Sequence, residues 1–399
     1  MTTKAKNSRL KVLLYGSLPV VQGGASYFKY ITSVGGSEDK FVTMLKKIFD
    51  VEVFSWTKRI CFRSIKHVYL VDGIRILYHL FRRAVSCDLI ITLGYPALFE
   101  FTLLLFVSKL RRIPIIVRET HWYWPQTRIS RFLWYVYFKL MRHVDGIICP
   151  GKASYKYWKG KGFSNVFIVH YYTLEASMTK CNNIKLKKIK EKYMIPDDAL
   201  KILYLGRLIK KKGVDLIIKS FASLIKEVKD ARLVLIIAGD GEERNNLIYL
   251  TRKLGISNNV RFTGPVKEDE KECFYKLADV FVYVPRIVEI PEEWPIAPLE
   301  ALSLKIPTIV STAVGSLPEI IPAVIVVKEG DENYLKNAMK KLIYNSKLRS
   351  MLSNNAVKVC KKLNIDNVYK ELLKSLLEIV KSKHTFQSDK YVNIYAIND

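Results

Sequence analysis

Acidic residues are scarce in this sequence. Its 399 residues include 37 Asp and Glu against 65 Lys and Arg, a formal net charge of +28 at pH 7. A surplus of this sign favours polyanions, anionic lipid head groups or phosphorylated small molecules as partners. Net charge alone does not choose among them.

Two patterns that commonly hold metal ions are absent. The six cysteines occur without any C-x-x-C pair, at Cys61, Cys87, Cys149, Cys181, Cys273 and Cys360. Their scatter favours reduced thiols in a cytosolic protein over a disulfide framework or a zinc site. No strict D-x-D occurs either, so the usual carboxylate pair for a divalent metal is missing and we expect no metal site.

Long uninterrupted apolar runs are also lacking. The N-terminus has about five apolar residues before its first glycine, too few for the apolar region of a signal peptide. Residues 89–107 carry a single charge, Glu100, but Gly94 and Pro96 interrupt them. This pattern predicts a buried strand, a turn and a helix rather than a membrane span. A cytoplasmic protein is therefore expected.

The sequence does contain an alternation of short apolar runs and helical patterns. The runs lie at residues 10–17, 51–56, 88–94, 113–120 and 144–151 in the first half, and at 201–207, 233–239, 259–264, 279–284 and 307–312 in the second. Continuous apolar runs are typical of parallel strands that are covered on both faces. The sequence therefore predicts an α/β protein with two doubly wound, Rossmann-like domains.

The domain boundary is predicted from a change in composition. Residues 173–200 are polar and basic, which gives domains at 1–185 and 186–365, followed by a C-terminal helix and tail at 366–399 that can pack back on the first domain. Ligands of open parallel sheets bind beyond the carboxyl ends of the strands. Two such domains facing each other would form a ligand-binding cleft.

Candidate phosphate-binding residues follow the first strand of the second half. Arg207 and Lys212 flank a turn after KILYLG, and Gly213 opens a helix. A helix N-terminus with an arginine and a lysine beside it suits a diphosphate. The alternative is a solvated basic turn, which we accept for Lys210 and Lys211.

Glycine turns follow the next two strands. Gly239 and Gly241 lie in IIAGDG, and Gly264 precedes Pro265. Backbone groups in such turns can meet a flat base, although Gly-Asp-Gly is also simply a turn. The order of these turns, rather than any one of them, favours a nucleotide site.

Two acids eight positions apart form the most specific element. In EIPEEWPIAPLEALSLKIP, Trp294, Pro295 and Pro298 separate Glu292 from Glu300. One continuous helix cannot join the acids, because the prolines remove backbone donors and clash with the preceding turn. The segment predicts a loop that contains Glu292 and an apolar helix that begins at Glu300.

Together these segments resemble the retaining nucleotide-sugar glycosyltransferases of family 4 (glycosyl transferases group 1), which have the GT-B fold. The resemblance is carried, in the family's order and spacing, by GRLIKKKG, IIAGDGEE, VRFTGPV, EEWPIAPLEALSLKIPTIVST and AVGSLPEII, over most of residues 200–325. The first half is looser: GSLPVVQGGASYF resembles the family's first glycine-rich loop, and His121 in VRETHWYW falls where the family has a histidine.

The resemblance implies roles for residues of the second half. Arg207 and Lys212 would stabilise the negative charge that develops on the departing nucleotide diphosphate. Glu292 would meet sugar hydroxyls, and Glu300 would accept hydrogen bonds from the ribose hydroxyls. Gly239 and Gly264 would lie against the bound nucleotide.

In the first half the resemblance implies that His121 hydrogen-bonds the donor sugar. Gly23 and Gly24 would let the backbone approach the diphosphate or the acceptor. The alternatives are a structural histidine and a flexible turn. Glu293, Pro295 and Ala297 replace small or glycine residues that many family members carry around this loop, which puts the identity of the donor sugar in doubt.

The implied function is retaining, metal-independent transfer of a hexose-type sugar from a UDP- or GDP-linked donor, without a cofactor, to a lipid-linked or glycan acceptor. Basic and aromatic residues interleave in KRICFRSIKH, FRRAV, KLRRIP and TRISRFLWYVYFKLMRHV, a pattern suited to an anionic membrane surface. The alternative is that the aromatic residues are core and the charges solvated.

Two other functions stay open. A basic nucleic-acid-binding protein, or a glycosyltransferase that modifies nucleic acid, would also explain the charge. It ranks lower because the basic residues are spread through both halves and no nucleic-acid motif occurs. An inactive GT-B scaffold is opposed by the presence of Arg207, Lys212, Glu292 and Glu300.

Overall fold

The computed structural model describes residues 10–16, 41, 44–46, 49–54, 68–69, 75–94, 98–120, 128–171, 181–228, 230, 232–288 and 292–383. These residues divide into two compact units. The first runs to Tyr171 and also takes in the chain from Asp366, and the second runs from Tyr172 to Ile365. The first unit therefore ends before residue 185, where the change in composition had suggested a boundary.

The first unit is built on a parallel sheet. Its seven described strands have the order β3-β2-β1-β4-β5-β6-β7. They are β1 (Lys11–Gly16), β2 (Asp50–Phe54), β3 (Val68–Tyr69), β4 (Leu89–Leu93), β5 (Ile115–Arg118), β6 (Gly146–Cys149) and β7 (Val166–Ile168). The described helices of this unit are α1 (Arg75–Ser86), α2 (Leu98–Arg111), α3 (Arg128–Met141), α4 (Lys152–Gly160) and the last helix, Ile365–Lys383.

The apolar segment at 89–107 has the structure that its interruptions predict. Every residue of β4 is buried, and the chain then turns into α2, whose Glu100 is buried as well. Gly94 has a φ of +66°, a conformation that favours glycine. Within the described parts of the chain, no helix is long and apolar enough to cross a membrane.

The second unit contains a six-stranded parallel sheet in the order β10-β9-β8-β11-β12-β13. Its strands are β8 (Leu200–Leu205), β9 (Leu233–Ala238), β10 (Val260–Gly264), β11 (Val280–Tyr283), β12 (Thr308–Ser311) and β13 (Val324–Val327). Its helices are α5 (Asn183–Lys192), α6 (Val214–Glu227), α7 (Arg244–Lys253), α8 (Lys271–Leu277), α9 (Ile296–Ser303), α10 (Leu317–Ile320), α11 (Glu332–Tyr344) and α12 (Ser346–Lys362). Each of the ten apolar runs singled out in the sequence overlaps one of the thirteen described strands.

The last helix, α13 (Ile365–Lys383), returns to the first unit. The Nδ1 atom of His170 lies 2.9 Å from Glu371 Oε1, and the His170 backbone N–H donates to Oε2 at 3.1 Å. At Gly146 in β6, an added Cβ would lie 2.4 Å from Ile379 Cδ1. Glycine thus allows the helix to pack closely on this strand.

The expectation that all cysteines are reduced thiols is wrong for one pair. Cys181 and Cys273 form a disulfide across 92 positions of sequence. Cys181 immediately precedes α5, and Cys273 lies in α8, a helix that packs against α5. This tertiary contact brings together two sulfurs whose sequence spacing gives no indication of pairing.

The other described cysteines are buried. Burial raises the pKa of Cys87 and of Cys149 to about 12, so these thiols stay protonated and inert. Cys360 is buried within α12. Cys61 lies outside the described residues.

Candidate functional site

The site is built at the carboxyl ends of the strands in the second unit. After β8 the chain passes Gly206 and Arg207, makes a 3-10 turn over Lys210–Lys212, and begins α6. Gly213 joins turn and helix with a φ of +68°, and an added Cβ there would lie 2.3 Å from the carbonyl oxygen of Val284. Glycine is required at this junction for both reasons.

Lys212 lies in a closed cluster with Glu292 and Tyr283. Its Nζ atom is 2.9 Å from Glu292 Oε1 and donates to the Tyr283 hydroxyl at 2.6 Å. The Tyr283 hydroxyl in turn donates to Glu292 Oε2 at 3.3 Å. Lys211 Nζ, which the sequence had assigned to a solvated turn, approaches Glu292 Oε1 to 3.4 Å.

Burial and neighbouring charges shift the pKa values of Lys212 and Glu292. Burial lowers the pKa of Lys212, and the neighbouring Glu292 opposes that shift only in part. Burial alone would raise the pKa of Glu292, but Lys212 and Lys211 hold it below the usual value. The charge of Arg207 contributes to lowering the Lys212 pKa, which places the exposed Arg207 within electrostatic reach of the cluster. Two lysines therefore contact one half-buried carboxylate, and a third cation, Arg207, lies near them.

Glu292 is held in an extended segment rather than a helix. Its backbone N–H donates to Ala313 at 3.2 Å, and its carbonyl accepts from Gly315 at 2.7 Å. The prediction that no continuous helix joins the two acids is confirmed. Helix α9 begins at Ile296, earlier than predicted, because Pro298 falls in the first turn, where a missing N–H costs nothing.

Glu300 lies in α9 and is buried. The Tyr275 hydroxyl donates to its Oε2 at 2.8 Å, whereas Lys271 Nζ stays 3.8 Å from its Oε1. Burial, followed by the charge of Glu300, raises the pKa of Tyr275 well above its ordinary value. Tyr275 is therefore a permanent donor that fixes one carboxylate oxygen.

Sequence reasoning missed both tyrosines. The Tyr275 and Phe281 ring centroids are 5.5 Å apart, and those of Phe281 and Tyr283 are 6.5 Å apart, so packed rings connect the two acids. Tyr283 is the last residue of β11, and its position at the carboxyl end of a strand could have identified it as a site residue. Tyr275 lies within α8, and nothing in the sequence around it indicates a place in the site.

The predicted glycine turns meet beside this cluster. Gly239 has a φ of +144°, and an added Cβ would lie 1.9 Å from the carbonyl oxygen of Gly206. The Gly239 N–H donates to the Gly264 carbonyl at 2.9 Å. The ends of β8, β9 and β10 are thus joined, as expected for neighbouring parallel strands.

Trp294, which lies between the two acids, is buried. The predicted site residues Gly23, Gly24 and His121 lie outside the described residues. Among those that are described, no group of three or more His, Cys, Asp or Glu side chains is arranged to hold a metal ion.

Comparison with solved structures defines the fold class. A structure of Anabaena HepE in complex with UDP superposes with a TM-score of 0.74 over 92% of this chain and 100% of that chain, at 15% identity. WaaG, a glycosyltransferase involved in lipopolysaccharide biosynthesis, matches with a TM-score of 0.61 over 91% of this chain and 98% of that chain, also at 15% identity. The chain has the predicted GT-B fold.

Sequence comparison relates the second unit to a known family. Residues 186–359 match the family model of the glycosyl transferases group 1. An uncharacterized glycosyltransferase of Methanocaldococcus jannaschii is 35% identical over 44% of this chain and 44% of its own length. The alpha-monoglucosyldiacylglycerol synthase of Streptococcus pneumoniae is 28% identical over 36% of this chain and 32% of its own length. The chain thus matches less than half the length of these relatives.

Proposed function

We propose that this protein is a retaining glycosyltransferase that moves a hexose-type sugar from a UDP- or GDP-linked donor to a lipid-linked or glycan acceptor. The observation that carries the proposal is the cluster of Arg207, Lys211, Lys212 and Glu292 at the carboxyl end of β8. Three cations around one carboxylate leave a positive site suited to a diphosphate.

The leaving group determines what the cations do. When the bond from sugar to diphosphate breaks, negative charge develops on the phosphate oxygens. Arg207 and Lys212 stabilise that charge, and a well-placed donor of this kind is worth roughly 3 kcal/mol of barrier. Glu292 keeps the Lys212 ammonium in place before the donor arrives, and its own oxygens face sugar hydroxyls.

Glu300 binds the ribose. Since Tyr275 occupies Oε2, the second oxygen accepts from a ribose hydroxyl. Gly239 and Gly264 border the nucleotide, and the family resemblance implies that His121, Gly23 and Gly24 take part in binding the donor or the acceptor. The reaction uses no metal ion and no cofactor beyond the nucleotide sugar.

The acceptor is proposed to be lipid-linked or a glycan. The relatives include a synthase named for a glucosylated diacylglycerol and a lipopolysaccharide core biosynthesis glycosyltransferase of Rhizobium meliloti, the latter 30% identical over 39% of both chains. Such acceptors suit a cytoplasmic protein that works at an anionic membrane surface.

Nucleotide binding and turnover test the proposal. UDP, GDP and their hexose conjugates are screened by thermal shift, since a ligand of the native state raises Tm. Arg207→Ala should then lower kcat for the preferred donor by about 10²-fold to 10³-fold. Arg252→Ala, an exposed arginine on α7, is the matched control and should leave kcat unchanged. Turnover should persist in EDTA.

Two results would reject this function. One is the absence of a thermal shift with every nucleotide sugar while duplex DNA binds tightly. The other is an equal loss of activity in the Arg207→Ala and Arg252→Ala variants. Loss of turnover in EDTA would reject metal independence alone.

A further inference from the structure

Three helices of the first unit lie side by side on one face of the sheet. Helix α1 leads from β3 to β4, α2 from β4 to β5, and α3 from β5 to β6, so all three connections advance in the same direction across the sheet. Right-handed crossovers place such helices on the same face. The packing agrees: α1 contacts α2, and Phe101 of α2 stacks on Tyr137 of α3 at 5.1 Å.

The outer side of this layer is apolar. Of the eighteen exposed large apolar side chains among the described residues, nine lie on these three helices. On α2, Phe99, Phe106 and Leu110 follow one another at intervals of seven and four, which places them on one stripe. Phe99 is 81% exposed. Tyr78 of α1 and Phe132 of α3, 64% and 67% exposed, extend this surface, which we call the outer helical face.

The charges of the outer helical face have one sign. The three helices contain a single acidic residue, Glu100, and it is buried. Their exposed charged side chains include Arg82, Lys109, Arg111 and Lys139, all positive. Lys139 Nζ lies 5.1 Å from the ring centroid of Tyr135, so charge and aromatic ring occupy neighbouring positions on α3.

We propose that the outer helical face docks on the surface of an anionic lipid bilayer. Isolated exposed apolar side chains are ordinary on a protein, whereas a contiguous apolar patch marks an interaction surface. Phenylalanine, leucine and tyrosine beside lysine and arginine, with no exposed acid, is the composition of helices that lie in the membrane interface. At about 1.5 Å per residue, helices of this length lie flat on a bilayer and cannot span it.

An anionic bilayer explains both the exposed apolar side chains and the positive charge of the outer helical face. A nucleic acid or a second copy of the chain explains only one of these properties. A nucleic acid would use the positive charges, but Phe99, Phe106 and Leu110 offer nothing to a phosphate backbone. A second copy of this chain would bring another positive surface against the first. The proposal does not depend on sugar transfer, and it identifies the side of the first unit that would meet a lipid-linked acceptor.

Vesicle binding by the full chain tests the proposal. Vesicles of phosphatidylcholine alone are compared with vesicles that contain equal parts of phosphatidylcholine and phosphatidylglycerol, at low and moderate salt. We expect binding to the anionic vesicles, weakened by salt. The double variant Phe99→Ser/Phe106→Ser should bind at least about tenfold more weakly, because it removes apolar surface that enters the interface. The matched control is Tyr249→Ser/Tyr334→Ser, two exposed residues of the second unit.

A second pair of variants separates local charge from net charge. Lys109→Glu/Arg111→Glu on α2 and Lys253→Glu/Lys358→Glu in the second unit change the net charge equally, and all four lysines and arginines are exposed. The α2 variant should bind the anionic vesicles at least about fivefold more weakly for each substituted residue. The control variant should lose less than about twofold in the same affinity.

Equal effects of the face and control variants would overturn the proposal, as would equal binding to both kinds of vesicle. Self-association that the double apolar variant abolishes, without vesicle binding by the parent protein, would also overturn it and would assign the face to a second copy. Thermal shifts by nucleotides, measured on the same variants, report the second unit separately. A failure of vesicle binding therefore leaves the proposed transferase intact.

Discussion

At the scale of single residues, the Tyr283 hydroxyl joins the two opposite charges of the site. It accepts from Lys212 and donates to Glu292, and burial, followed by the charge of Glu292, raises the pKa of Tyr283 well above its ordinary value. It therefore stays protonated at neutral pH. Removal of the Tyr283 hydroxyl leaves Lys212 and Glu292 in contact, but the two side chains are then less constrained in position.

Tyr283→Phe should therefore raise KM for the donor sugar more than it lowers kcat. The substitution removes two hydrogen bonds to charged groups, and one such bond alone is worth about 1.5–3 kcal/mol, so kcat/KM should fall by at least roughly 10-fold to 150-fold. Steady-state kinetics measure the changes in KM and kcat separately. Tyr344→Phe, which removes an exposed hydroxyl paired with Asp230, is the control and should leave kcat/KM unchanged. Equal kinetics for the Tyr283→Phe variant and the parent would exclude a positioning role for Tyr283.

Glu292 also determines the pH range in which Lys212 remains charged. Burial lowers the pKa of Lys212, and Glu292 is the group that opposes this shift most. Affinity for a nucleotide diphosphate should therefore fall as pH rises toward that lowered pKa, below the range in which an exposed lysine deprotonates. In Glu292→Gln the counter-charge is gone, so the pKa of Lys212 falls further.

In Glu292→Gln the fall in nucleotide affinity at alkaline pH should therefore begin at a lower pH. Calorimetric titration with UDP or GDP at a series of alkaline pH values measures this affinity. In Lys212→Met this pH-dependent loss of affinity should vanish, because the titrating ammonium group is gone. If the affinity of Glu292→Gln falls at the same pH as that of the parent protein, Lys212 is not the titrating group.

At the scale of elements, the disulfide links the start of α5 to α8. Helix α8 also carries Lys271 and Tyr275, the two residues beside Glu300. The disulfide therefore fixes the helix that positions the proposed ribose-binding acid. A cross-link of this kind typically contributes about 2–4 kcal/mol to the free energy of unfolding.

Reduction should lower the stability of the second unit by that amount and weaken nucleotide binding. Urea unfolding and nucleotide titration are measured with and without dithiothreitol. Cys181→Ser, with the neighbouring structure otherwise unchanged, should match the reduced protein and should no longer respond to reductant. A parent protein that unfolds at the same urea concentration in both conditions would show that the two cysteines do not pair.

Elements were predictable where several residues share one local pattern. The run at 233–239 is continuously apolar and forms β9 with all six residues buried. Strands β3, β7 and β13 were missed; β3 and β7 have only two and three residues, too few to establish a period. The disulfide was missed for a different reason: its formation depends on the packing of α5 on α8, which leaves no trace at either cysteine.

At the scale of the whole molecule, sheet topology explains why the charged residues of the site could be predicted. Arg207, Lys212 and Gly239 follow strands that are neighbours in a parallel sheet, so their order in the sequence implies proximity. Tyr275 reaches Glu300 from within a helix, and no rule for strand ends would find it. The two doubly wound domains followed from two successive sets of apolar runs, and the resemblance added the GT-B class and the roles of the acids.

The return of α13 to the first unit gives the last prediction. In Gly146→Ala the new methyl group would overlap Ile379 Cδ1, so the substitution should lower the free energy of unfolding of the first unit by about 1–3 kcal/mol. In an Ile379→Ala background, which removes the overlapping atoms, the same change should cost far less. The double-mutant cycle, measured by urea unfolding, should give a coupling free energy of about 1 kcal/mol or more, since the two side chains share one space. Additive effects would mean that α13 does not lie on β6, and that the C-terminal helix stabilises the first unit through other contacts.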